Sequence, residues 1–442
     1  MERTKTRKLN ISFESEVLDE PSHRERGEGG GKGKEPESAK GKIWEFIAIA
    51  TIPLVLVLGN SMLVPILPDM ERELKISHFE SSLVITLFSV TAGVFIPVVG
   101  YLSDRFGRKA IIIPSLIVYG AAGVLAGFGA VWGSYPLVIG SRALQGLGAA
   151  GTAPIAMALV GDLYKAATES KALGLVEASN GFGKVVSPIL GAALALIVWY
   201  ASFFAFPVFC LLSLLAVMFL IKEPKEKSTE KQPLREYLHT IGHILKTKGR
   251  WLITSFFAGS LGLFTLFGIL FYLSEVLEKK PYNLDGVVKG LVLAIPLAGL
   301  VITSYTTGSI IKKNGTLMRW LINIGLALST VSLGLTLVFN KDHIYLFMGL
   351  ITLSSVGTGL LLPCLNTMIT GSVQKSQRGM ITSLYNSLRF LGVAAGPPLI
   401  GYLMEKNDNI VFIFLCSLAA VAFALVFFLV KPEGNLARKP HH

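Results

Sequence analysis

Charge is scarce in this sequence. Of its 442 residues, 16% are Asp, Glu, Lys or Arg, where a soluble domain carries about 25%. A chain this poor in charge cannot clothe a water-facing globule. Cysteine is scarcer still. Cys210, Cys364 and Cys416 each lie inside an apolar run, which excludes a disulfide framework and leaves them as small buried hydrophobes. No nucleophile–base constellation, metal-ligand spacing or nucleotide loop is present, so an enzyme is the least favoured class. The glycine-rich run from Arg24 to Lys34 lacks the Gly-x4-Gly-Lys-Ser/Thr pattern and any flanking strand or helix, so it is no phosphate loop. No cleavable signal peptide is visible.

Apolar residues are what the chain has in abundance: 52% of the sequence, with a mean hydropathy of +0.58. A spanning helix needs about 20 of them in a row. Twelve segments qualify, near 44–66, 80–102, 109–131, 135–161, 170–198, 202–222, 252–275, 286–308, 319–339, 344–370, 379–403 and 410–430. The expected organisation is a disordered polar segment 1–43, a six-helix bundle 44–222, a cytoplasmic loop 223–250, a second six-helix bundle 251–430 and a tail 431–442. The net charge of +12 does not call for nucleic acid, because a membrane protein concentrates basic residues in its cytoplasmic loops. With the N-terminus inside, Arg105, Arg108, Lys109, Lys165, Lys171, Lys312, Lys313, Arg319, Lys375 and Arg378 all fall on the cytoplasmic side. Only Arg72, Lys75, Lys279, Lys280, Lys289, Lys341 and Lys406 fall outside. Both termini are therefore expected in the cytoplasm.

The two halves repeat. Gly100 and Gly107 correspond to Gly308 and Gly315, Pro154 to Pro363, and Pro188 with Gly191 to Pro398 with Gly401, each pair about 208–210 residues apart. Near-equal offsets on matching helices are the mark of an internal duplication, as found in secondary transporters. The second copy is degraded where Lys312 stands in place of Asp104.

Several runs resemble motifs of the major facilitator superfamily. Gly100-Tyr101-Leu102-Ser103-Asp104-Arg105-Phe106-Gly107-Arg108-Lys109 is similar to its signature loop between the second and third helices. Arg142-Ala143-Leu144-Gln145-Gly146-Leu147-Gly148-Ala149-Ala150 resembles its fourth-helix motif. Gly183-Lys184-Val185-Val186-Ser187-Pro188-Ile189-Leu190-Gly191 resembles the fifth-helix motif of drug:proton antiporters, with Ser187 replacing a glycine. Leu63 to Asp69 and Leu361 to Asn366 look like the first- and tenth-helix endings of the twelve-helix antiporters. The resemblance implies an all-α major facilitator fold of twelve helices in two pseudo-symmetric bundles. It also implies that Arg142 is linked to proton transfer. Asp104 would meet the start of the eleventh helix near Gln377 and Gly379, where a helix dipole favours an anion. The small residues Gly183, Ser187 and Gly191 with Pro188, and Gly396 with Pro397 in the eleventh helix, are candidates for gating contacts, a role compatible with plain helix packing.

Charges inside the spans carry the functional reading. Glu177 and Lys184 share one face of the fifth helix with Gly181 and Pro188. Arg389 lies on a face of the eleventh with Tyr385 and Asn386. A charge at mid-bilayer depth costs at least about 2.5–3.5 kcal/mol, so such groups face a bundle interior or an aqueous cavity. They serve either as a structural ion pair or in coupling and substrate binding. Asn60, Asn180, Lys184, Asn366, Tyr385 and Arg389 are the cavity candidates, and Glu177 the candidate proton carrier. Arg142, Lys184 and Arg389 outnumber Glu177, so a neutral or anionic amphiphile suits the cavity better than a lipophilic cation. The expected function is proton-coupled export of small lipophilic or amphiphilic molecules by a bacterial cell-membrane monomer. It would need no metal and no cofactor beyond the coupling proton. A lipid or glycolipid flippase of the same fold is the first alternative, and a non-transporting membrane receptor the second.

Overall fold

In the computed structural model, residues 39–164, 166–221, 234–311, 314–339, 344–372 and 378–430 are described. Residues 1–38 of the expected polar segment, the tail, the loop lysines Lys165, Lys312, Lys313, Lys341 and Lys375, and Gln377 lie outside them, as do the side chains of residues 39–43, Lys171, Glu177 and Arg378. Residues 39–43, expected to be disordered, are instead helical and open the first helix, because the apolar run behind them carries the helix upstream. Among the described residues all regular structure is helical. Helices α1 (Ala39–Ser61), α2 (Leu67–Leu74), α3 (His78–Phe106), α4 (Arg108–Val131), α5 (Tyr135–Ala150), α6 (Ala153–Leu163), α7 (Ala166–Ala195) and α8 (Ala201–Leu220) form the first bundle. Helices α9 (Leu234–Glu278), α10 (Gly286–Ile310), α11 (Gly315–Val338), α12 (Ile344–Gly371), α13 (Arg378–Lys406) and α14 (Asp408–Leu429) form the second. Among the described residues, ten helical stretches are long and apolar enough to cross a membrane. Helices α7 and α13 fall outside that set, and these are the helices on which Glu177, Lys184 and Arg389 sit.

Local sequence accounts for the breaks. The expected first span stops at Ser61, and a 3-10 turn at Val64–Ile66 leads into α2, with Pro65 and Pro68 at the two helix starts. Ser77 opens α3 through a capping box: its Oγ accepts from the Glu80 N–H at 3.2 Å, while the Glu80 carboxylate accepts from the Ser77 N–H at 2.8 Å. Gly107 separates α3 from α4 at φ +105°, a conformation other residues rarely adopt. The fourth span is cut at Gly151 and Thr152 before Pro154.

The expected loop 223–250 is corrected in its second half. From Leu234 the chain is helical and continues without interruption into the seventh span as the 45-residue α9. The stretch is hydrophilic, yet it holds no proline, and Ile244 is buried while Arg235, Glu236, His243 and Lys246 are exposed. Amphipathic patterning, rather than hydropathy, makes it a helix.

The core lies between helices. Phe88, Tyr119, Phe203, Phe206, Tyr272, Phe347 and Phe412 are wholly enclosed, whereas Ile197, Phe219 and Val338 project outward, as lipid-facing side chains do. Among the described residues the two bundles meet most extensively along two helix pairs, α3 with α13 and α7 with α10. On the first pair, Thr86 Oγ1 donates to the Ala394 carbonyl at 2.7 Å and Ser387 Oγ to the Gly93 carbonyl at 2.5 Å.

Candidate functional site

Arg142 is the largest fully buried side chain. It projects from α5 toward the backbones of α3 and α1. Its Nε donates to the Val84 carbonyl at 2.9 Å and one Nη to the Gly59 carbonyl at 3.1 Å and to the Gln145 amide oxygen. The guanidinium also lies 4.4 Å from the centroid of the Phe88 ring, a geometry that stabilises a desolvated cation. No carboxylate among the described residues pairs with it, and its second Nη has no partner there. Gly146 and Gly148 of the same run allow this depth: a Cβ on Gly146 would stand 2.2 Å from the Phe88 carbonyl oxygen, and one on Gly148 2.6 Å from the Tyr119 nitrogen.

The second bundle holds Arg389 in a comparable way. One Nη reaches the Asn386 amide oxygen at 3.2 Å, and the guanidinium sits 5.4 Å from the Tyr385 ring. Tyr385 stacks on Phe256 with centroids 5.6 Å apart. Asn60 Oδ1, Asn180 Oδ1, Gln145 Nε2, Tyr385 Oη and Arg389 Nε are enclosed yet unbonded among the described residues. Buried polar atoms are normally paired, so a surplus of this size marks surface that water or a bound molecule completes. Of the six cavity candidates, Asn60 and Tyr385 are buried and Asn180, Lys184, Asn366 and Arg389 half-buried.

The small-residue stripe shows the close helix packing named as compatible with its gating role. Gly183 faces Leu54 and Val57, and a Cβ on Gly191 would stand 2.0 Å from the Met62 carbonyl oxygen, so both pack α7 onto α1 within its own bundle. Gly392 and Gly396 do the same for α13 on α9, against Ser260 and Phe264. Ser187 and Pro397 are buried in the same two helices. The face of α7 that meets the other bundle is the neighbouring one: Gly181 lies against Val301, and Pro188 with Ala192 against Gly290 of α10. By helical spacing Lys184 falls with Gly181 and Pro188 on that face. Pro188 is therefore the stripe's one member placed at the bundle interface by these contacts.

The signature loop is a brace. Arg108 Nε donates to Asp162 at 2.8 Å and its Nη to Ser103 Oγ at 2.7 Å and to Asp104, joining α3, α4 and α6. Lys109 Nζ donates to the carbonyls of Ile221 at 2.7 Å and Met218 at 3.2 Å, capping α8. Arg105 leans over Phe106. The carboxylate of Asp104 is thus engaged inside its own bundle, while Gly379 stands exposed. The α3–α13 approach at this end runs through Gly100, where a Cβ would stand 2.9 Å from Ser383 Oγ.

Sequence reasoning missed an ionic group at the opposite end. Arg72 pairs with Glu278 and Asp69, and the buried Lys289 donates to Glu278 at 2.8 Å. His78 Nδ1 stands 2.5 Å from Glu71 and 3.4 Å from Glu275, and Ser274 Oγ donates to the Val64 carbonyl at 2.8 Å. Of these, Arg72–Glu278 and His78–Glu275 cross from α2 and α3 to α9, and Ser274 reaches the 3-10 turn before α2. A cavity of about 390 Å³ beside them is lined by Asp69, Arg72, Glu278, Asp285 and Lys289. Glu275 is 2% exposed, so Glu177 is not the only acid to weigh against the buried cations. Its place at the last residue of an apolar segment hid it. The signal was there: Glu275, Glu278 and Lys279 share one helical face at spacings of three and four.

Comparison with known proteins agrees with this architecture. The family model of the Major Facilitator Superfamily matches residues 49–328 and 279–442. The chain is 44% identical to the bacillibactin exporter of Bacillus subtilis (strain 168) over 398 residues, which span 89% of this chain and 98% of that one. Similarity to the multidrug efflux protein YfmO of the same organism is 29% over 358 residues, or 81% and 86% of the two chains. Among solved structures, a D-xylose-proton symporter superposes with a TM-score of 0.73 at 13% identity, over 90% of this chain and 100% of the symporter. The human organic anion transporter MFSD10 gives 0.68 at 18%, over 87% and 99%. At such identities the likeness speaks for the fold alone.

Proposed function

From the premise that the chain belongs to the major facilitator superfamily, we propose that this multi-pass membrane transporter exports a small amphiphilic molecule in exchange for protons. The observation that carries the reading is Arg142, a wholly enclosed cation held by carbonyls, an amide and a ring, with donor capacity left over. A static structural arginine would be better served by a carboxylate. A group that must bind, release or respond to something mobile is served by weaker partners. Arg389 repeats the arrangement across the interface. Two such cations favour a substrate with neutral or anionic polar groups. The 44% identity to a bacillibactin exporter makes bacillibactin, or a molecule like it, the first to test.

Alternating access follows from the packing. Each bundle is internally tight, with α7 locked to α1 and α13 to α9 by backbone-close glycines, so each moves as a unit against the other. Both termini lie in the cytoplasm in this reading, which puts the crossing ion pairs on the outside. Glu177 is the proposed proton carrier and Lys184 or Arg389 its partner, holding it ionised until substrate or conformation separates them.

The test is transport in proteoliposomes under an imposed pH gradient, with bacillibactin, lipophilic dyes and labelled lipids assayed separately. Gradient-driven movement of a small molecule is expected in the native protein. It should be lost in Glu177→Gln and in Arg142→Met, provided both variants still reach the bilayer. Undiminished gradient drive in Glu177→Gln would remove that residue from the coupling step. Lipid movement without movement of the small molecules would replace export by lipid flipping.

A further inference from the structure

We infer that Glu71, His78 and Glu275 form a divalent-cation site of the zinc class that bridges the two bundles. One ligand atom from each residue falls within 4.8 Å of the other two. Glu71 and His78 come from the first bundle, Glu275 from the second. An imidazole with two carboxylates is a donor set suited to Zn2+, and three protein ligands leave a fourth position for water. His78 is 30% exposed, which gives such a water and the ion a way in.

The polar atoms themselves favour a central ion over an ordinary salt bridge. His78 Nδ1 pairs with Glu71 and stands 3.4 Å from Glu275 Oε2, while Glu275 Oε1 is enclosed without a partner among the described residues. The unpartnered Glu275 oxygen is the atom that an ion between the three residues would satisfy. Tetrahedral zinc holds its N and O ligands roughly 3.3–3.5 Å apart. The 3.4 Å between His78 Nδ1 and Glu275 Oε2 already fits, and the 2.5 Å approach to Glu71 must open by under 1 Å.

Surroundings add charge and orientation. Asp69, Glu71, Glu275 and Glu278 face Arg72, Lys279 and Lys289, an excess of one carboxylate when His78 is neutral. Ser81 Oγ donates to the second oxygen of Glu71, an outer bond of the kind that fixes a metal-binding carboxylate. Lys279 Nζ, 3.5 Å from Glu275 Oε2, is the one cation in the ion's way. It is 57% exposed and can swing into solvent. An ion held here ties α2 and α3 to α9, and so favours the state in which this end of the molecule is shut.

The experiment needs no transport. The full chain, with His441→Ala and His442→Ala to silence the tail, is purified in detergent, stripped with a chelator and titrated with Zn2+ against a competing colorimetric chelator. One Zn2+ per chain is expected. Affinity should fall about 100-fold in His78→Ala and in Glu275→Gln, since each removes a ligand. Lys279→Met keeps all three ligands and removes the competing cation, so it should bind several-fold tighter, a gain that misfolding cannot imitate. Co2+ in place of Zn2+ should show the visible absorption of a tetrahedral site in the parent and lose it in His78→Ala. Absence of stoichiometric binding, or affinity unchanged in Glu275→Gln, would overturn the bridge. Because only binding is read, a failure here leaves the export reading standing, and the reverse holds too.

Discussion

Charged residues gather at both ends of the bundle pair, and they do opposite work. Around Gly107, Arg108 ties Ser103, Asp104 and Asp162 together and Lys109 caps α8, all within the first bundle. Around Glu278, the pairs Arg72–Glu278 and His78–Glu275 run from one bundle to the other. What crosses between bundles at the signature-loop end among the described residues is small instead, Gly100 on Ser383, and at mid-helix Gly181 meets Val301. A rocking transporter needs both kinds of contact. Ionic ties inside a bundle make it rigid, smooth contacts let it slide, and ionic ties between bundles supply a state that must be broken to move on.

The sharpest way to break this contrast is Glu278→Ala. It removes the partner of Arg72 and strands Lys289, which is 3% exposed. Stranding Lys289, whose pair lies within the second bundle, costs overall stability about 3–5 kcal/mol. The crossing pair is exposed at Arg72 (63%), which also keeps Asp69, so the closed end itself loses about 1 kcal/mol, a shift of roughly 5-fold toward the open form. Spin labels at the exposed Glu73 and Lys280 should report a longer distance. A distance distribution unchanged from the parent would mean that this end is held by packing alone.

Next comes the smooth contact. In Gly100→Leu the new side chain begins 2.9 Å from Ser383 Oγ and has no room between α3 and α13. Overpacking of this kind costs about 1–3 kcal/mol, and here it should push the bundles apart at the signature-loop end. Labels placed on α3 and α13 at that end should separate in Gly100→Leu and stay put in Glu278→Ala. If the two variants open the same end, the contrast between ends collapses.

These residues were unequally visible beforehand. The spans, the duplication and the brace could be read because each is local: apolar runs of helical length, glycines at a repeated offset, a charged turn between two spans. The amphipathic half of α9 was missed because hydropathy is blind to a helix that buries one stripe, here Ile244. The stripe on α7 was legible as a surface for close helix approach, but not which helix it approaches. Gly181 and Gly183 differ by two residues and face different bundles, and periodicity does not say which face meets which helix. The crossing cluster was out of reach for a simpler reason. Glu275 is some 200 residues from Glu71 and His78, and nothing local to any of the three announces the meeting.

Arg108→Ala tests the brace as a matter of stability. The side chain is 16% exposed, but Asp104 and Asp162 are about half exposed, so water screens what is lost. About 1–2 kcal/mol is expected, read as a fall of about 1–3 °C in the unfolding midpoint in detergent, with no change in either inter-bundle distance.

The smallest effect separates two accounts of one residue. If Asp104 latched the start of α13, Asp104→Asn would release that end and open it as Gly100→Leu does. In the brace its carboxylate meets Arg108, which keeps Asp162 and Ser103 whatever happens to Asp104. The neutral amide can still accept from Arg108, and the position is 52% exposed. Under about 1 kcal/mol should be lost, with both label distances unchanged. A loop-end separation in Asp104→Asn that matches Gly100→Leu would favour the latch, and with it a gating charge beside the brace that the described residues form.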